Sequence, residues 1–203
     1  MLFSEIQNVL RDAKIIGKLN KKKIKFITDH SKDVNPNTLL VVDKNKNFKK
    51  IYLQNSISKG LDVILTNVYF KNLNITQVVV KDLNKNVSSL IKFRQPYKPK
   101  ISIAITGTNG KTSATWYLAQ ICKLNNISTK STGTLGYYKN TKKIIDSSLT
   151  TPSNLDLYQF AYSNKKNNDV FISEASSHGL HQGRYNDLNI DIAAITNLSH
   201  DHL

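Results

Sequence analysis

Before residue 100, the apolar residues follow the patterns of short helices and short strands. Apolar positions recur at helical spacing in SEIQNVLRDA, near the N-terminus, with Ser4 as the expected N-cap. The segment FKKIYLQNSISKG predicts a second helix, which ends at Gly60. Four β-branched runs suited to strands surround it: IKFIT, TLLVV, DVILT and TQVVV. We therefore predict a small mixed α/β domain.

After residue 100, the pattern changes to a repeated order of strand, tight turn and helix. The apolar run ISIAIT is typical of a parallel strand that is buried on both faces. The next segment, TSATWYLAQICKL, predicts a helix that buries Trp116, Leu118, Ala119 and Leu124. Two further apolar strands, DVFISEAS and IDIAAITNLS, each end in polar residues. This order predicts a P-loop domain built on a doubly wound, mostly parallel sheet.

The segments between these strands also have recognisable patterns. TLGYYKNTKKII is suited to an antiparallel hairpin, and SNLDLYQFAYSN predicts a helix capped by Ser153. In RQPYKPK, Pro96 and Pro99 are unfavourable for a helix or a central strand. We therefore place a domain boundary there, with one domain over residues 1–98 and the first part of a second over residues 99–203.

Charge is unevenly distributed along the 203 residues, which carry a net charge of +15. Residues 1–100 hold 20 Lys and Arg against 7 Asp and Glu, whereas residues 101–203 hold 9 against 7. The lysines of the first part are scattered among asparagines and isoleucines, without the aromatic residues or arginine clusters of a nucleic-acid surface. We interpret them as a solvated basic face and expect no nucleic-acid partner. A basic nucleic-acid-binding module remains the non-enzymatic alternative.

The N-terminus and the cysteine content indicate a cytoplasmic protein. The first residues, MLFSEIQNVLRDAK, contain acidic residues and polar breaks where a signal peptide needs an apolar core. No stretch resembles a membrane span. A single cysteine, Cys122, excludes an intramolecular disulfide and fits a reducing compartment.

Three polar clusters follow the predicted strands of the second domain: TGTNGKT, EASSH and TNLSHDH. In a doubly wound sheet, ligands collect at the carboxyl ends of the strands, so we expect these clusters to share one crevice. The first cluster resembles a phosphate-binding loop with two residues, rather than four, between its first glycine and Gly-Lys-Thr. Its glycines would let backbone N–H groups surround phosphate oxygens, with Lys111 adding a charge and Thr112 binding magnesium.

The other two clusters supply candidate metal ligands. Glu174 follows an apolar strand beside the predicted triphosphate site, where an acidic side chain can hold a second magnesium ion. Asn197, His200, Asp201 and His202 follow another strand. Two histidines at this spacing could bind zinc, but no cysteine or third histidine nearby completes a zinc site, so magnesium or nucleotide contacts are favoured.

These motifs resemble those of the Mur ligases, the ADP-forming amide-bond ligases that build the peptidoglycan stem peptide. GTNGKT resembles their nucleotide loop. TTPSNLD, EASSHGLHQGR and TNLSHDHL, in that order, resemble the branch that adds the third stem residue. That branch joins meso-diaminopimelate or L-lysine to UDP-N-acetylmuramoyl-L-alanyl-D-glutamate (UDP-MurNAc-L-Ala-D-Glu). The resemblance covers residues 29–203 and is densest from residue 101 onward.

The resemblance implies a role for each matching position. Lys111, Glu174 and His202 would be catalytic, and Thr112, Glu174 and His202 would bind Mg²⁺. UDP-MurNAc-L-Ala-D-Glu would contact Thr150, Thr151, Ser176, Gln182 and Arg184, while Ser31, in DHSKDVNPNTLL, would contact the uridine diphosphate portion. ATP would be bound by Gly107, Thr108, Asn109, Gly110, Lys111, Thr112 and Ser113.

The same resemblance implies partners and the extent of the machinery. A diamino acid and UDP-MurNAc-L-Ala-D-Glu would be the substrates, ATP and Mg²⁺ the cofactors, and the protein a monomer without a membrane partner. In the family, a carbamylated lysine and an amino-acid-binding domain follow the position of Leu203, so we expect this chain to be inactive alone. Another ligase of the family, of the folylpolyglutamate type or the type that adds D-glutamate, is the alternative, against which SSHGLHQGR argues.

Overall fold

The computed structural model describes residues 3–18, 23–45, 49–163 and 170–199. The chain forms two compact units, Met1–Arg94 and Gln95–Leu203. The division therefore falls a few residues before the position expected from the two prolines. Tyr97 explains this shift, because its backbone N–H and carbonyl pair with Ser163 at 3.1 and 2.9 Å and attach the proline segment to the second unit.

The first unit contains a five-stranded, mostly parallel sheet with the strand order β1-β5-β4-β3-β2. Strands β2 to β5 run parallel to one another, and β1 runs antiparallel to β5. The strands are β1 (Lys14–Ile16), β2 (Phe26–Thr28), β3 (Thr38–Val42), β4 (Val63–Thr66) and β5 (Thr76–Val79). The helices are α1 (Phe3–Val9), α2 (Lys50–Ser58) and α3 (Leu83–Arg94), with a 3-10 turn at Ser31–Asp33.

The sequence predicted most elements of the first unit. All four β-branched runs form strands, and the α2 segment ends as predicted before Gly60, whose φ is +90°. The prediction of Ser4 as N-cap was wrong, because α1 begins one residue earlier at Phe3. Strand β1 and helix α3 were not predicted. Leu40, Leu53 and Ile64 are nearly inaccessible in the core that forms between the sheet and α2.

The second unit is built on a six-stranded sheet with the strand order β11-β6-β10-β7-β8-β9. The first four of these strands are parallel, and β8 and β9 continue the sheet as an antiparallel hairpin. The strands are β6 (Ile101–Thr106), β7 (Thr129–Gly133), β8 (Gly136–Lys139), β9 (Lys142–Ile145), β10 (Val170–Glu174) and β11 (Ile192–Ile195). The helices are α4 (Lys111–Leu124), α5 (Asn154–Ala161) and α6 (Ser177–His181). The predicted α/β fold class, with its mostly parallel sheet and hairpin, is confirmed.

Helix α4 covers the sheet with a narrower stripe than the sequence suggested. Its buried residues are Thr115, Ala119 and Cys122, and they lie at helical spacing on one face. Leu124 was predicted to be buried but is 81% exposed. It lies five positions after Ala119, which rotates it about 140° away from the buried stripe.

Helix α5 is fixed at both ends by side chains. At its start, the Ser153 hydroxyl accepts a hydrogen bond from the Asp156 N–H at 3.2 Å, which confirms the predicted N-cap. At its end, the Lys130 ammonium on β7 donates to the carbonyls of Phe160 and Tyr162 at 2.8 and 3.0 Å. These contacts satisfy carbonyls that have no partner within the helix.

No helix in the described part of the chain combines the length and the apolar character needed to cross a bilayer.

We expect Ile172→Ala to lower the free energy of unfolding by about 2–5 kcal/mol, because it leaves a cavity in the core. Ile172 is fully buried on β10 and packs with Ile103, Ile105 and Ala119. The control is Leu124→Ala, where the side chain is already exposed and the change should cost less than about 0.5 kcal/mol. Urea unfolding measures both variants, and equal losses would contradict this assignment of the core.

Lys130 should make stability depend on alkaline pH. Burial, together with the facing charge of Lys139, lowers the pKa of Lys130 to about 8. The unfolded chain, with a lysine pKa near 10.4, binds this proton more tightly, so stability should rise between about pH 8 and pH 10. In urea unfolding over this range, Lys130→Met should lose that rise, and Lys139→Gln should weaken it. The same pH dependence in all three proteins would contradict the assignment.

Candidate functional site

The glycine loop between β6 and α4 has the backbone of an anion-binding turn. Gly107 and Gly110 have φ angles of +132° and +81°, which residues other than glycine rarely adopt. Gly110 is the N-cap of α4, and none of the described side chains caps this end of the helix. The first backbone N–H groups of α4 have no carbonyl partners within the helix, so they can donate to an external anion.

Lys111 places its charge over this loop. Its ammonium donates to the carbonyl oxygens of Gly107 at 2.6 Å and of Thr108 at 2.9 Å. The ammonium group therefore satisfies two carbonyl groups of the loop and lies beside the N-terminal end of α4. A phosphate group can replace these two carbonyls as the acceptor, because the lysine stem is flexible.

The remaining residues of the loop are held by the segment that follows β11. The Thr108 N–H donates to the Asn197 carbonyl at 3.1 Å, and the Asn109 N–H donates to Asn197 Oδ1 at 3.0 Å. Asn197 Nδ2 and Thr196 Oγ1 both donate to the Asn109 carbonyl, at 3.0 and 2.6 Å. The Thr108 hydroxyl also bonds to the backbone of Ser199.

Glu174 lies at the end of the central strand β10 and is 1% exposed. One carboxylate oxygen, Oε2, accepts a hydrogen bond from the Thr112 hydroxyl at 2.8 Å. Thr134 donates its N–H to Oε1 at 2.9 Å and its hydroxyl to Oε2 at 3.1 Å. Neutral donors therefore hold a buried carboxylate against the first turn of α4. No cationic side chain is among these donors.

Gly133 gives this carboxylate its space. A Cβ on Gly133 would lie 1.9 Å from Glu174 Oε1. Thr134, the next residue, donates hydrogen bonds to Glu174, and this role was not predicted from the sequence. The reason is that β7, with the sequence TKSTG, lacks the apolar character by which the neighbouring strands were recognised.

A second cluster is centred on Thr151, behind Glu174. The Thr151 hydroxyl donates to the Glu174 carbonyl at 2.9 Å and accepts from the Ser176 N–H at 2.9 Å. The Ser176 hydroxyl is 3.0 Å from the Thr151 hydroxyl. Tyr185 was not predicted, yet its hydroxyl is 2.9 Å from the Glu174 carbonyl, and burial raises its pKa above the ordinary value. The phenol therefore stays neutral and can donate.

The guanidinium of Arg184 connects this cluster to the turn after α6. It donates to the Thr151 carbonyl and, through two nitrogens at 2.9 and 2.6 Å, to Gln182 Oε1. Gln182 Nε2 is in turn 2.7 Å from a ring nitrogen of His178. Asn154, also missed from the sequence, fixes the backbone of this turn by donating to the carbonyls of Arg184 and Asn186 at 2.9 and 3.1 Å.

The structure thus brings together most of the predicted site residues of the second unit. Thr150 joins the same network, because its hydroxyl is 3.1 Å from that of Thr134. Ser113 is exposed on the first turn of α4. Ser31 belongs to the first unit, where it begins the 3-10 turn. His202, predicted as a catalytic residue and metal ligand, lies outside the described residues, as do His200 and Asp201.

The oxygen atoms around Glu174 fit a magnesium ion. Magnesium prefers hard oxygen ligands and is commonly held by one or two carboxylates with hydroxyls, waters and phosphates. Thr112 and Glu174 provide a hydroxyl and a carboxylate 2.8 Å apart at the mouth of the glycine loop. Nearby, the hydroxyls of Thr115 and Thr132 are buried, and neither has a hydrogen-bond partner among the described residues. Both hydroxyls line one pocket together with Thr112 and Glu174, so this pocket offers further hydrogen-bonding groups to a polar ligand or to water.

Comparison with known proteins identifies the second unit. Residues 105–203 match the Mur ligase middle domain. The chain is 35% identical over 188 residues to the UDP-N-acetylmuramoyl-L-alanyl-D-glutamate--2,6-diaminopimelate ligase of Rickettsia bellii, covering 90% of this chain and 39% of the relative. It is 30% identical over 191 residues to the UDP-N-acetylmuramoyl-L-alanyl-D-glutamate--L-lysine ligase of Enterococcus faecalis, covering 91% and 37%.

A solved structure supports the same relationship over both units. A UDP-N-acetylmuramoyl-L-alanyl-D-glutamate--2,6-diaminopimelate ligase superposes with a TM-score of 0.73 at 25% identity. The match covers the whole of this chain and 41% of that chain. The chain therefore spans about two fifths of the length of the relatives it matches.

We expect Gly133→Ala to lower the free energy of unfolding by about 2 kcal/mol or more, because the new methyl group displaces the Glu174 carboxylate from its donors. The test is a double-mutant cycle by urea unfolding. In a Glu174→Ala background, Gly133→Ala should cost much less, since the clash is gone. Equal costs in both backgrounds would show that Gly133 does not serve to accommodate Glu174.

Proposed function

Because the chain belongs to the Mur ligase family, we propose that it is part of an ATP-dependent amide-bond ligase of peptidoglycan precursor synthesis. The reaction is the addition of the third stem residue, meso-diaminopimelate or L-lysine, to UDP-MurNAc-L-Ala-D-Glu. Relatives that add each of these amino acids match the chain at similar identity, so the proposal keeps both.

The observation that carries this proposal is the contact between Thr112 and Glu174 beside the glycine loop. A helix N-terminus and a lysine favour a polyphosphate, and a buried carboxylate 2.8 Å from the Thr112 hydroxyl favours a divalent cation next to it. These two preferences together describe MgATP. A loop that only connected a strand to a helix would have no use for a buried charge at its mouth.

In the proposed reaction, a substrate carboxylate takes the terminal phosphoryl group of ATP, and ADP leaves. The amino group of the incoming residue then displaces phosphate from this acyl phosphate and forms the amide. Lys111 and the N–H groups of the first turn of α4 orient the phosphates and screen their charge from the attacking carboxylate. Thr112 and Glu174 would hold the magnesium ion, which supplies further charge neutralisation when bound.

We assign the nucleotide-sugar substrate to the cluster behind Glu174. Arg184 offers a planar, bidentate guanidinium suited to a carboxylate or phosphate, and Thr150, Thr151, Ser176 and Gln182 offer neutral hydrogen bonds around it. In the first unit, Ser31 begins a turn whose side chains are accessible, and we assign it to the uridine diphosphate portion. Residues 1–98 would thus serve the uridine diphosphate portion of the substrate, and residues 99–203 would serve ATP, Mg²⁺ and the rest of that substrate. We propose a cytoplasmic monomer, since its nucleotide substrates are cytoplasmic metabolites.

The experiment that tests this proposal compares two lysine variants of α4 in MgATP binding by calorimetry. Lys111→Ala should weaken binding about 10- to 100-fold, because it removes a charge-assisted hydrogen bond to phosphate. Lys123→Ala, an exposed lysine in the last turn of the same helix, is the matched control and should bind as the parent chain does.

Acceptor binding tests the substrate class. UDP-MurNAc-L-Ala-D-Glu should bind more tightly than UDP-MurNAc-L-Ala, the same acceptor without its D-glutamate carboxylates. Equal affinity for both would argue against the assigned branch of the family. Equal MgATP affinity in the two lysine variants would argue against the nucleotide site.

A further inference from the structure

Residues 196–199, which we call the clamp, form hydrogen bonds with Thr108 and Asn109 in the first half of the glycine loop. The Asn197 side chain engages both backbone groups of Asn109, as a neighbouring strand would, by accepting from its N–H and donating to its carbonyl, each at 3.0 Å. A carboxamide carries its donor and its acceptor on separate atoms, so it can pair with both backbone groups of one residue at once. Thr196 adds a hydroxyl contact of 2.6 Å to the same carbonyl.

The position of the clamp is set by the sheet and not by the loop. Strand β11 pairs in parallel with β6, with Ile195 opposite Thr106, so both strands end at the same level. The Thr196 N–H continues this ladder by donating to the Thr106 carbonyl at 3.0 Å. The loop leaves β6 at that point and meets the clamp at once.

Gly107 is shaped to this contact. A Cβ at this position would lie 2.2 Å from Thr196 Oγ1 and 3.0 Å from the Asn197 nitrogen. The first glycine of the shortened loop therefore permits close approach of the clamp as well as the φ of +132°. This gives the Gly107 position a structural reason that involves no phosphate.

We propose that Thr196 and Asn197 are positioning residues that hold the glycine loop in its nucleotide-binding conformation before the nucleotide arrives. This proposal rests on the proposed function. The clamp uses the N–H groups of Thr108 and Asn109, so the phosphates are bound by those of Gly110, Lys111, Thr112 and Ser113. Ordering a flexible residue costs conformational entropy, and a loop ordered in advance binds its ligand without that loss.

The experiment combines amide hydrogen exchange with MgATP affinity in four variants. Thr196→Val and Asn197→Ala remove bonds to the Asn109 carbonyl, and each should speed exchange at Thr108 and Asn109 without nucleotide. Each should also weaken MgATP binding about fivefold or more, in line with the loss of one or two neutral hydrogen bonds. Thr196→Ser keeps the hydroxyl and should remain within about twofold of the parent.

The matched control is Asn125→Ala, at the C-terminal end of α4. It removes a side-chain bond from Asn125 to the Ile121 carbonyl, so it perturbs the same helix away from the loop. Its affinity for MgATP should not change. Thermal melting without nucleotide identifies any variant whose loss of affinity reflects unfolding, and Thr196→Ser then serves as the folded comparison.

The outcomes separate this proposal from the proposed function. Faster exchange with unchanged MgATP affinity in Thr196→Val and Asn197→Ala would overturn the positioning role alone. Fast exchange at Thr108 and Asn109 in the parent chain would show that the clamp does not order the loop, and would also overturn it. Failure of the parent chain to bind MgATP would overturn the proposed function and, with it, the role assigned to the clamp.

Discussion

The second unit depends on one buried carboxyl group, that of Glu174, at the end of its central strand. A carboxylate removed from water is costly unless hydrogen bonds compensate it, and Glu174 receives these from Thr112 and Thr134, on either side of β10. The same bonds join β7, β10 and the first turn of α4. Gly133 is required for this arrangement, because any larger residue would occupy the place of the carboxylate. The space left by Gly133 and the hydrogen bonds from Thr112 and Thr134 thus both determine the position of the Glu174 carboxylate.

The glycine loop is organised around that point by two different sets of contacts. On one side, the Lys111 ammonium and the start of α4 present positive charge towards the mouth of the loop. On the other side, Thr196 and Asn197 occupy the backbone groups of Thr108 and Asn109. The division explains how a loop with only two residues between its glycines can be held in place and still, in the proposed nucleotide site, bind a ligand: its first half is used for attachment, and its second half would bind the phosphates.

Much of this architecture could be read from the sequence, and the gaps have physical causes. The β6 and β10 strands were evident because strands buried on both faces are continuously apolar, and the glycine loop was evident from its residue types. Strand β7 was missed because its sequence, TKSTG, lacks the continuous apolar run of the neighbouring strands, although most of its residues are buried. The contacts of Thr134, Asn154 and Tyr185 depend on long-range geometry that no local pattern encodes. Leu124 was misplaced because apolar character alone does not determine which face of a helix meets the sheet.

The position of β11 at the edge of the sheet has a consequence for preparing the protein. Within the described residues, β11 has a neighbour on one side only, and its Ile192 and Ile195 side chains are 48% and 62% exposed. An edge strand with unpaired main-chain groups and exposed isoleucine side chains can pair with another extended peptide. Concentrated preparations of these 203 residues will therefore need conditions that discourage edge-to-edge association, such as low ionic strength, at which their net positive charge keeps molecules apart.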